Sequence, residues 1–299
     1  MKLAPLAIFV YNRPDKIKKV LNSLKKNKLC EKTSIFFFSD GPKNKKDQKQ
    51  VEKVRTIIKN FNFGKHQRFF FHKKNRGLKK NITDGISKIF KKFNKIIVLE
   101  DDIIVSPSFL HFMNSSLNRY YKEKNIWHIS SWNYSLNLNN DYQKETFFWR
   151  NMNCWGWATW KNRWLKLNLN PDFFIKKFDK HQIEEFDLDG KMNNWSQLER
   201  NKLNVINTWA VFWNATIFYN KGLCLNPVIP FSKNIGFDER STNTKEKLSQ
   251  HQNLNFSENV NFPLIKNENN FFVKKIKKKL IKDKIKNKVG RYFRKFIQF

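Results

Sequence analysis

Ile96-Ile97-Val98-Leu99-Glu100-Asp101-Asp102 is a short apolar run that ends abruptly in three consecutive acids. Its length suits a strand, and apolar residues on both faces are the mark of a strand inside a parallel sheet. The same kind of run recurs upstream. Leu6 to Tyr11, Ile35 to Phe38 and Phe69 to Phe71 read as strands. Between them, Ile17/Val20/Leu21/Leu24, Val51/Val54/Ile58 and Leu78/Ile82/Ile86/Ile89/Phe90/Phe93 recur at helical spacing. Pro14 stands where a first helical turn tolerates proline. Downstream, a helix is expected from about Pro107, with Phe109, Phe112, Met113, Leu117 and Tyr120 inward, then a strand from Ile126 to Ser130. This alternation predicts an α/β fold, a mostly parallel sheet with helices on both faces.

Ligands of such sheets bind beyond the carboxyl ends of the strands. Asn12, Asp40, the Asn75-Arg76-Gly77 turn and Glu100-Asp101-Asp102 all fall there. Neither G-x-G-x-x-G after the first strand nor G-x-x-x-x-G-K-[ST] anywhere is present, so the two common phosphate cradles are excluded. Three adjacent carboxylates repel one another. A hard divalent cation, Mg²⁺ or Mn²⁺, offsets that repulsion and keeps coordination positions for substrate phosphates. A solvated or lysine-held acidic loop is the plainer reading of the triplet.

The chain has 299 residues, 40% apolar and 16% aromatic, enough for one large core and too apolar for global disorder. Cys30, Cys154 and Cys224 lie too far apart for a zinc finger or a CxxC pair. Met1 to Val10 lacks the length and cleavage site of a signal peptide, and no run approaches the ~20 apolar residues of a membrane span. A cytoplasmic protein is expected. The net charge of +34 comes from 48 Lys against 11 Arg, spread along the chain and unlike arginine-rich nucleic-acid readout. A basic nucleic-acid-binding protein is therefore the weakest of the functional readings. The exception to the even spread is 271–299, with twelve Lys/Arg against Asp283. Its apolar residues recur at near-helical spacing. This reads either as a basic amphipathic helix on the inner face of an anionic membrane or as a C-terminal helix packed on the domain.

Val98-Leu99-Glu100-Asp101-Asp102-Ile103-Ile104-Val105-Ser106-Pro107-Ser108-Phe109, followed by Trp127-His128-Ile129-Ser130-Ser131-Trp132-Asn133, resembles the nucleotide-sugar domain of the N-acetylglucosaminyltransferase I family. It resembles bacterial family 2-like glycosyltransferases more closely still. Tyr11-Asn12-Arg13-Pro14, Ser39-Asp40-Gly41, Asn75-Arg76-Gly77-Leu78, Cys154-Trp155-Gly156-Trp157-Ala158-Thr159-Trp160 and Asn234-Ile235-Gly236-Phe237 match in the same order. The resemblance implies a GT-A (Rossmann-like) fold over 1–244, with a nucleotide-binding half at about 1–133 and an acceptor half at about 134–244. A polar linker at 245–270 and the basic tail at 271–299 would follow.

The resemblance further implies a metal-dependent glycosyltransferase, using Mn²⁺ or Mg²⁺ and a nucleoside-diphosphate sugar, with UDP favoured. The acceptor would be a carbohydrate or lipid-linked glycan in surface polysaccharide synthesis, its hydroxyl displacing the diphosphate at the donor's anomeric carbon with inversion. Asp102 would bind the metal, Asp101 the ribose, and Glu100 the donor or the ion's water shell. Asp40 would meet the nucleobase, Asn12 and Arg13 would line the nucleotide pocket, and Arg76 would sit near the diphosphate. Trp155, Gly156 and Trp157 would wall the acceptor site, although each tryptophan also suits a core; His111 and His128 read as structural. Inversion needs a carboxylate base. Where relatives keep an acid, Asn207-Thr208-Trp209-Ala210-Val211-Phe212-Trp213 has none. Asp189 and Glu199 are the candidate bases, with Asp187 nearby. Where relatives often show a histidine that reaches the metal, this chain has Asn243. A sugar-nucleotide- or glycan-binding relative that lost its base is the alternative these departures leave open.

Overall fold

The computed structural model describes residues 3–64, 66–136, 138, 140–142, 144–237 and 253–296, the stretch 286–296 by its backbone. Asn243 lies outside the described residues. The first half follows the expected alternation: β1 (Leu6–Val10), α1 (Pro14–Lys25), β2 (Ile35–Ser39), α2 (Lys45–Asn60), β3 (Gln67–Phe71), α3 (Leu78–Phe90) and β4 (Lys95–Glu100). Then come β5 (Ile103–Val105), α4 (Phe109–Arg119), β6 (Ile126–Ser130), β7 (Thr146–Trp149), β8 (Trp157–Trp160), α5 (Lys161–Trp164), α6 (Pro171–Lys177), α7 (Lys180–Phe186), α8 (Asn194–Lys202), α9 (Ala210–Tyr219), β9 (Leu223–Pro227), β10 (Ser232–Asn234) and α10 (Asn270–Phe296).

The main sheet has the order β3-β2-β1-β4-β8-β6-β9-β7, and β10 pairs with β5 in a separate two-stranded ladder. β3, β2, β1 and β4 are parallel neighbours. β8 is inserted antiparallel between β4 and β6, with Val98 opposite Trp157 and Ile129 opposite Ala158. One face of the sheet packs Ile8, Val10 and Leu99 against α1, α2 and α4 through residues such as Ile17, Leu21, Val54 and Phe112. The other packs Phe9, Val98 and Trp157 against Ile82 and Ile86 of α3, Trp213 of α9 and Phe272 and Ile276 of α10. Burial on both faces explains why these strands read as continuous apolar runs.

The tryptophan-rich second half, which lacks clear periodicity in sequence, supplies β7 to β9 of the same sheet. The segment read as a linker is, from residue 253 onward, laid along the sheet edge. Asn261 accepts the Thr146 N–H at 3.1 Å, the Asn269 N–H donates to the Phe148 carbonyl at 2.8 Å, and Glu268 pairs with Arg150. α10 then buries Phe272, Val273 and Ile276, with the Phe272 ring 4.7 Å from that of Phe147. That part of the apolar stripe is therefore covered by the protein itself. Among the described residues no helix is long and apolar enough to cross a membrane.

Candidate active site at the carboxyl edge of the sheet

The parallel strands point four loops at one edge, and the acids after β4 lie at its centre. Asp101 is buried, and its Oδ2 accepts the Tyr11 N–H at 2.8 Å. Asp102 Oδ2 accepts from Arg13 Nη1 at 2.8 Å, and its carbonyl takes the Ile235 N–H at 2.9 Å. Gly236 lies against this pair; a Cβ there would come within 2.1 Å of Asp102 Oδ2 and 2.9 Å of Arg13 Nη1. The loop after β10 thus closes over the acids, an arrangement that more than a hundred residues of separation conceal in the sequence.

Burial pushes the Glu100 carboxyl up to about 8, and the charges of Asp102 and Asp101 add to the effect. Burial and Asp102 push Asp101 up to about 7. Asp102 is raised by burial and pulled back by Arg13. Three crowded acids, Asp101 buried and Glu100 and Asp102 partly buried, are what a divalent cation would neutralise. Among the described residues no three His, Cys, Asp or Glu side chains form a ready cage. The donor set therefore fits Mg²⁺ or Mn²⁺ held by one or two carboxylates and completed by phosphate oxygens and water.

The surrounding residues divide into those that face the acids and those that build the loops. Arg13 is beside the acids. Asn12 Nδ2 donates to Asp47 Oδ1 and the Tyr11 hydroxyl to Asp47 Oδ2, both at 2.8 Å, tying the β1 loop to the first turn of α2. Asp40 is buried and accepts four hydrogen bonds. The N–H groups of Gly41 and Arg76 reach Oδ1, both at 2.8 Å; Gly77 N–H and Asn75 Nδ2 reach Oδ2 at 2.9 and 3.1 Å. In this structure the Asp40 carboxylate fixes the turn between β3 and α3. The Arg76 guanidinium pairs with Asp84 of α3. Arg55, which no sequence pattern marks, donates to Ser39 Oγ at 3.0 Å and to the carbonyls of Asp40 and His72 at 3.1 and 2.7 Å, holding the ends of β2 and β3 together.

In the segment expected to wall an acceptor, Trp155 is partly buried between Trp132 and Phe237, at ring distances of 4.5 and 5.5 Å. Gly156 has φ +81°, and a Cβ would meet Ser131 Oγ at 2.5 Å, so only glycine passes here. Trp157, expected on the acceptor wall, has no exposed surface; it stacks on His128 and Trp209, both at 5.3 Å. Its position in β8, opposite Val98, turns it into the core. His128 is neutral: burial pulls it down to about 3, its Nδ1 accepts from Trp213 Nε1 at 3.2 Å, and Nε2 faces the Asn153 carbonyl at 3.0 Å. Cys154 precedes this turn, its thiol raised by burial and by the nearby Glu100 and Asp102 charges.

The candidate bases have partners of their own. Asp189, in the left-handed region at φ 54°, ion-pairs with Lys277 of α10, which lowers its pKa. Glu199 accepts from Trp195 Nε1 at 3.1 Å on the exposed side of α8. Asp187 accepts the Trp195 N–H at 2.8 Å. Among the described residues none of the three hydrogen-bonds or ion-pairs with Glu100, Asp101 or Asp102.

The family model described as "Glycosyl transferase family 2" matches residues 6–163, more than half of the chain and the whole span from β1 through β8. The chain belongs to glycosyl transferase family 2. No curated protein sequence matches this family 2 chain significantly. Among solved structures it is similar to residues 1–349 of S. aureus TarS, at 12% identity and TM-score 0.38, covering 52% of this chain and 47% of that one. The match thus spans about half of the TarS fragment. It is also similar to the mannosyltransferase PcManGT of Pyrobaculum calidifontis in complex with GDP-Man and Mn²⁺, at 7% identity and TM-score 0.39 over 74% and 70% of the two chains. Galactosyltransferase LgtC in complex with donor and acceptor sugar analogs matches at 11% identity and TM-score 0.34, over 71% and 70%.

Proposed function

We propose that this family 2 chain transfers a sugar from a nucleoside-diphosphate donor, UDP-linked by preference, to a carbohydrate or lipid-linked glycan of a surface polysaccharide. The observation that carries the reading is the set of three successive carboxylates, two of them raised to about 8 and about 7, at the carboxyl end of β4 and facing Arg13. Asp102, with Glu100 beside it, would hold Mn²⁺ or Mg²⁺. When bound, the cation would neutralise the diphosphate as it leaves. Asp101, anchored on the Tyr11 N–H, would orient the nucleoside, and Arg13 would supply a guanidinium fork for phosphate oxygens. Trp155 would offer an indole to a sugar ring, whose C–H face packs on aromatic surface. Release of UDP or GDP from a panel of sugar nucleotides, with Mn²⁺ and with glycan acceptors, tests this. Acceptor-stimulated release from at least one donor is expected, and none from any donor would count against it.

A second part of the proposal concerns location. Lys274, Lys278 and Lys282 are exposed on α10, with Ile281 and Ile285 exposed at 39% and 58% on the same face. The helix stays packed through Phe272, Val273 and Ile276 while this face meets an anionic bilayer. At about 1 kcal/mol per lysine, the triple change Lys274→Glu, Lys278→Glu and Lys282→Glu is expected to weaken binding to phosphatidylglycerol vesicles by about a hundredfold or more. Equal sedimentation of wild type with anionic and neutral vesicles would remove this part of the proposal.

A further inference from the structure

The loop between α8 and α9 holds two large apolar side chains out in solvent. Leu203 and Val205 are 69% and 61% exposed, yet the loop that carries them is tightly built. The N–H groups of Leu203, Asn204 and Val205 donate to the carbonyls of Glu199, Asn201 and Arg200 at 3.0, 3.1 and 2.9 Å. Asn204 makes the left-handed turn, at φ 55°. The buried Asn201 then closes the loop with both ends of its amide. Its Oδ1 accepts the Thr208 N–H at 3.0 Å, and its Nδ2 donates to Thr208 Oγ1 at 2.9 Å. The backbone is thus satisfied while the two apolar side chains stay in water. The loop stands at the same edge of the sheet as the acids. α9 runs back from it to the start of β9, and the Trp209 ring just before α9 stacks on Trp157, which lies opposite Val98 of β4. Lys79, in the first turn of α3, lies 4.1 Å from the centre of the Phe212 ring of α9.

We infer that this loop is a membrane anchor: Leu203 and Val205 enter an anionic bilayer and draw the carboxyl edge of the sheet toward it. The inference rests on the location reading above and adds a second point of contact, on the side of the acids. Size, charge and position select a bilayer as the occupant. Two side chains fall far short of the ~800 Å² per partner that a stable protein interface buries. A second copy of the chain would bring its own net charge of +34 and be repelled. The stretch leading into α3 carries Lys73, Lys74, Arg76, Lys79 and Lys80 without an acid among them. Positive charge beside a small apolar projection suits the surface of anionic lipid. The loop also continues the lysine face of α10. Lys277 pairs with Asp189 and Lys284 Nζ donates to the Gly190 carbonyl shortly before α8 begins, and Leu203 follows its last residue. The nine residues of α8 rise about 14 Å, close enough for one surface to meet both.

The test is sedimentation of the full chain with phosphatidylglycerol vesicles, as wild type and as the double variant Leu203→Ser with Val205→Ser. A control double variant, Leu264→Ser with Ile265→Ser, removes two side chains that are 85% and 74% exposed on the strap. There Lys266 is tied to Glu123 and Asn125, at the start of β6 and so at the opposite edge of the sheet. Thermal melting confirms that each variant folds; should the first pair fail to, Val205→Asp alone gives the same reading. Leu203→Ser with Val205→Ser is expected to bind the vesicles at least about tenfold more weakly than wild type, because two large apolar side chains no longer leave water. The control pair should bind as wild type does. Undiminished binding by the folded Leu203/Val205 variant would overturn the inference and leave the lysine face of α10 standing. An equal loss in the control pair would overturn it too, as would a wild-type dimer that the Leu203/Val205 variant turns into a monomer. Absence of wild-type binding to anionic vesicles would overturn the location reading, and this inference with it.

Discussion

Asp102→Ala is expected to reduce sugar transfer by at least about a thousandfold while leaving the chain folded. A metal that stabilises the departing diphosphate contributes several kcal/mol, and each 1.36 kcal/mol is a factor of ten in rate. Asp102 provides the carboxylate oxygen at 2.8 Å from Arg13, with Ile235 and Gly236 closing over it. The fold should tolerate the loss. The substitution removes one of three mutually repelling acids, and the Ile235 contact runs through the Asp102 backbone. Turnover of the sugar nucleotide identified by screening, set beside a melting curve, checks both halves of the expectation. Wild-type turnover in a folded Asp102→Ala variant would show that the triplet is not the metal site.

The second large effect is structural and separates Trp155 from Trp157, two tryptophans on either side of Gly156. Trp157→Ala is expected to destabilise the protein by about 3–5 kcal/mol, the range for truncating a fully buried large aromatic. Its ring is enclosed by His128, Trp164 and Trp209 at centroid distances of 5.3 to 5.7 Å. Trp155→Ala should cost far less stability, because Trp155 is only partly buried, and should instead lower kcat/KM for the acceptor. Denaturant melts and acceptor kinetics on both variants provide the check. A mild Trp157→Ala with selective loss of acceptor affinity would mean that β8 opens to the ligand.

What could be read from the sequence follows from how each element is stabilised. β1, β2, β4 and α1 to α3 announce themselves because each buries its own apolar set, as Ile17, Val20, Leu21 and Leu24 do for α1, while the partly buried β3 is marked by its Phe69-Phe70-Phe71 run. β8 does not announce itself: Trp157-Ala158-Thr159-Trp160 is only four residues long, and Ala and Thr interrupt the run of large apolar side chains that marks β1 and β2. The edge strap after residue 253 pairs through backbone groups around Asn261 and Asn269, and backbone pairing leaves no hydrophobic signature. At the site, the triplet was legible because its members are consecutive. Asp40 was not fully legible, for three of its partners belong to the Asn75-Arg76-Gly77 turn and meet it only in the folded sheet edge. The same holds for Gly236 and Arg55, whose roles exist only in the assembled loops. The first turns of α10 were open to two readings, since an amphipathic basic helix looks alike whether protein or lipid covers its apolar stripe; Phe272 and Ile276 pack on the domain.

The claim on which the account depends is that the acids after β4 form a metal-assisted nucleotide site. Calorimetric titration of UDP into the full chain, with and without Mn²⁺ and repeated on Asp102→Ala, tests it most directly. The account predicts binding that requires Mn²⁺ in the wild type and is lost in the variant. Heats that are absent for UDP and GDP alike, or binding that Asp102→Ala leaves unchanged, would contradict it.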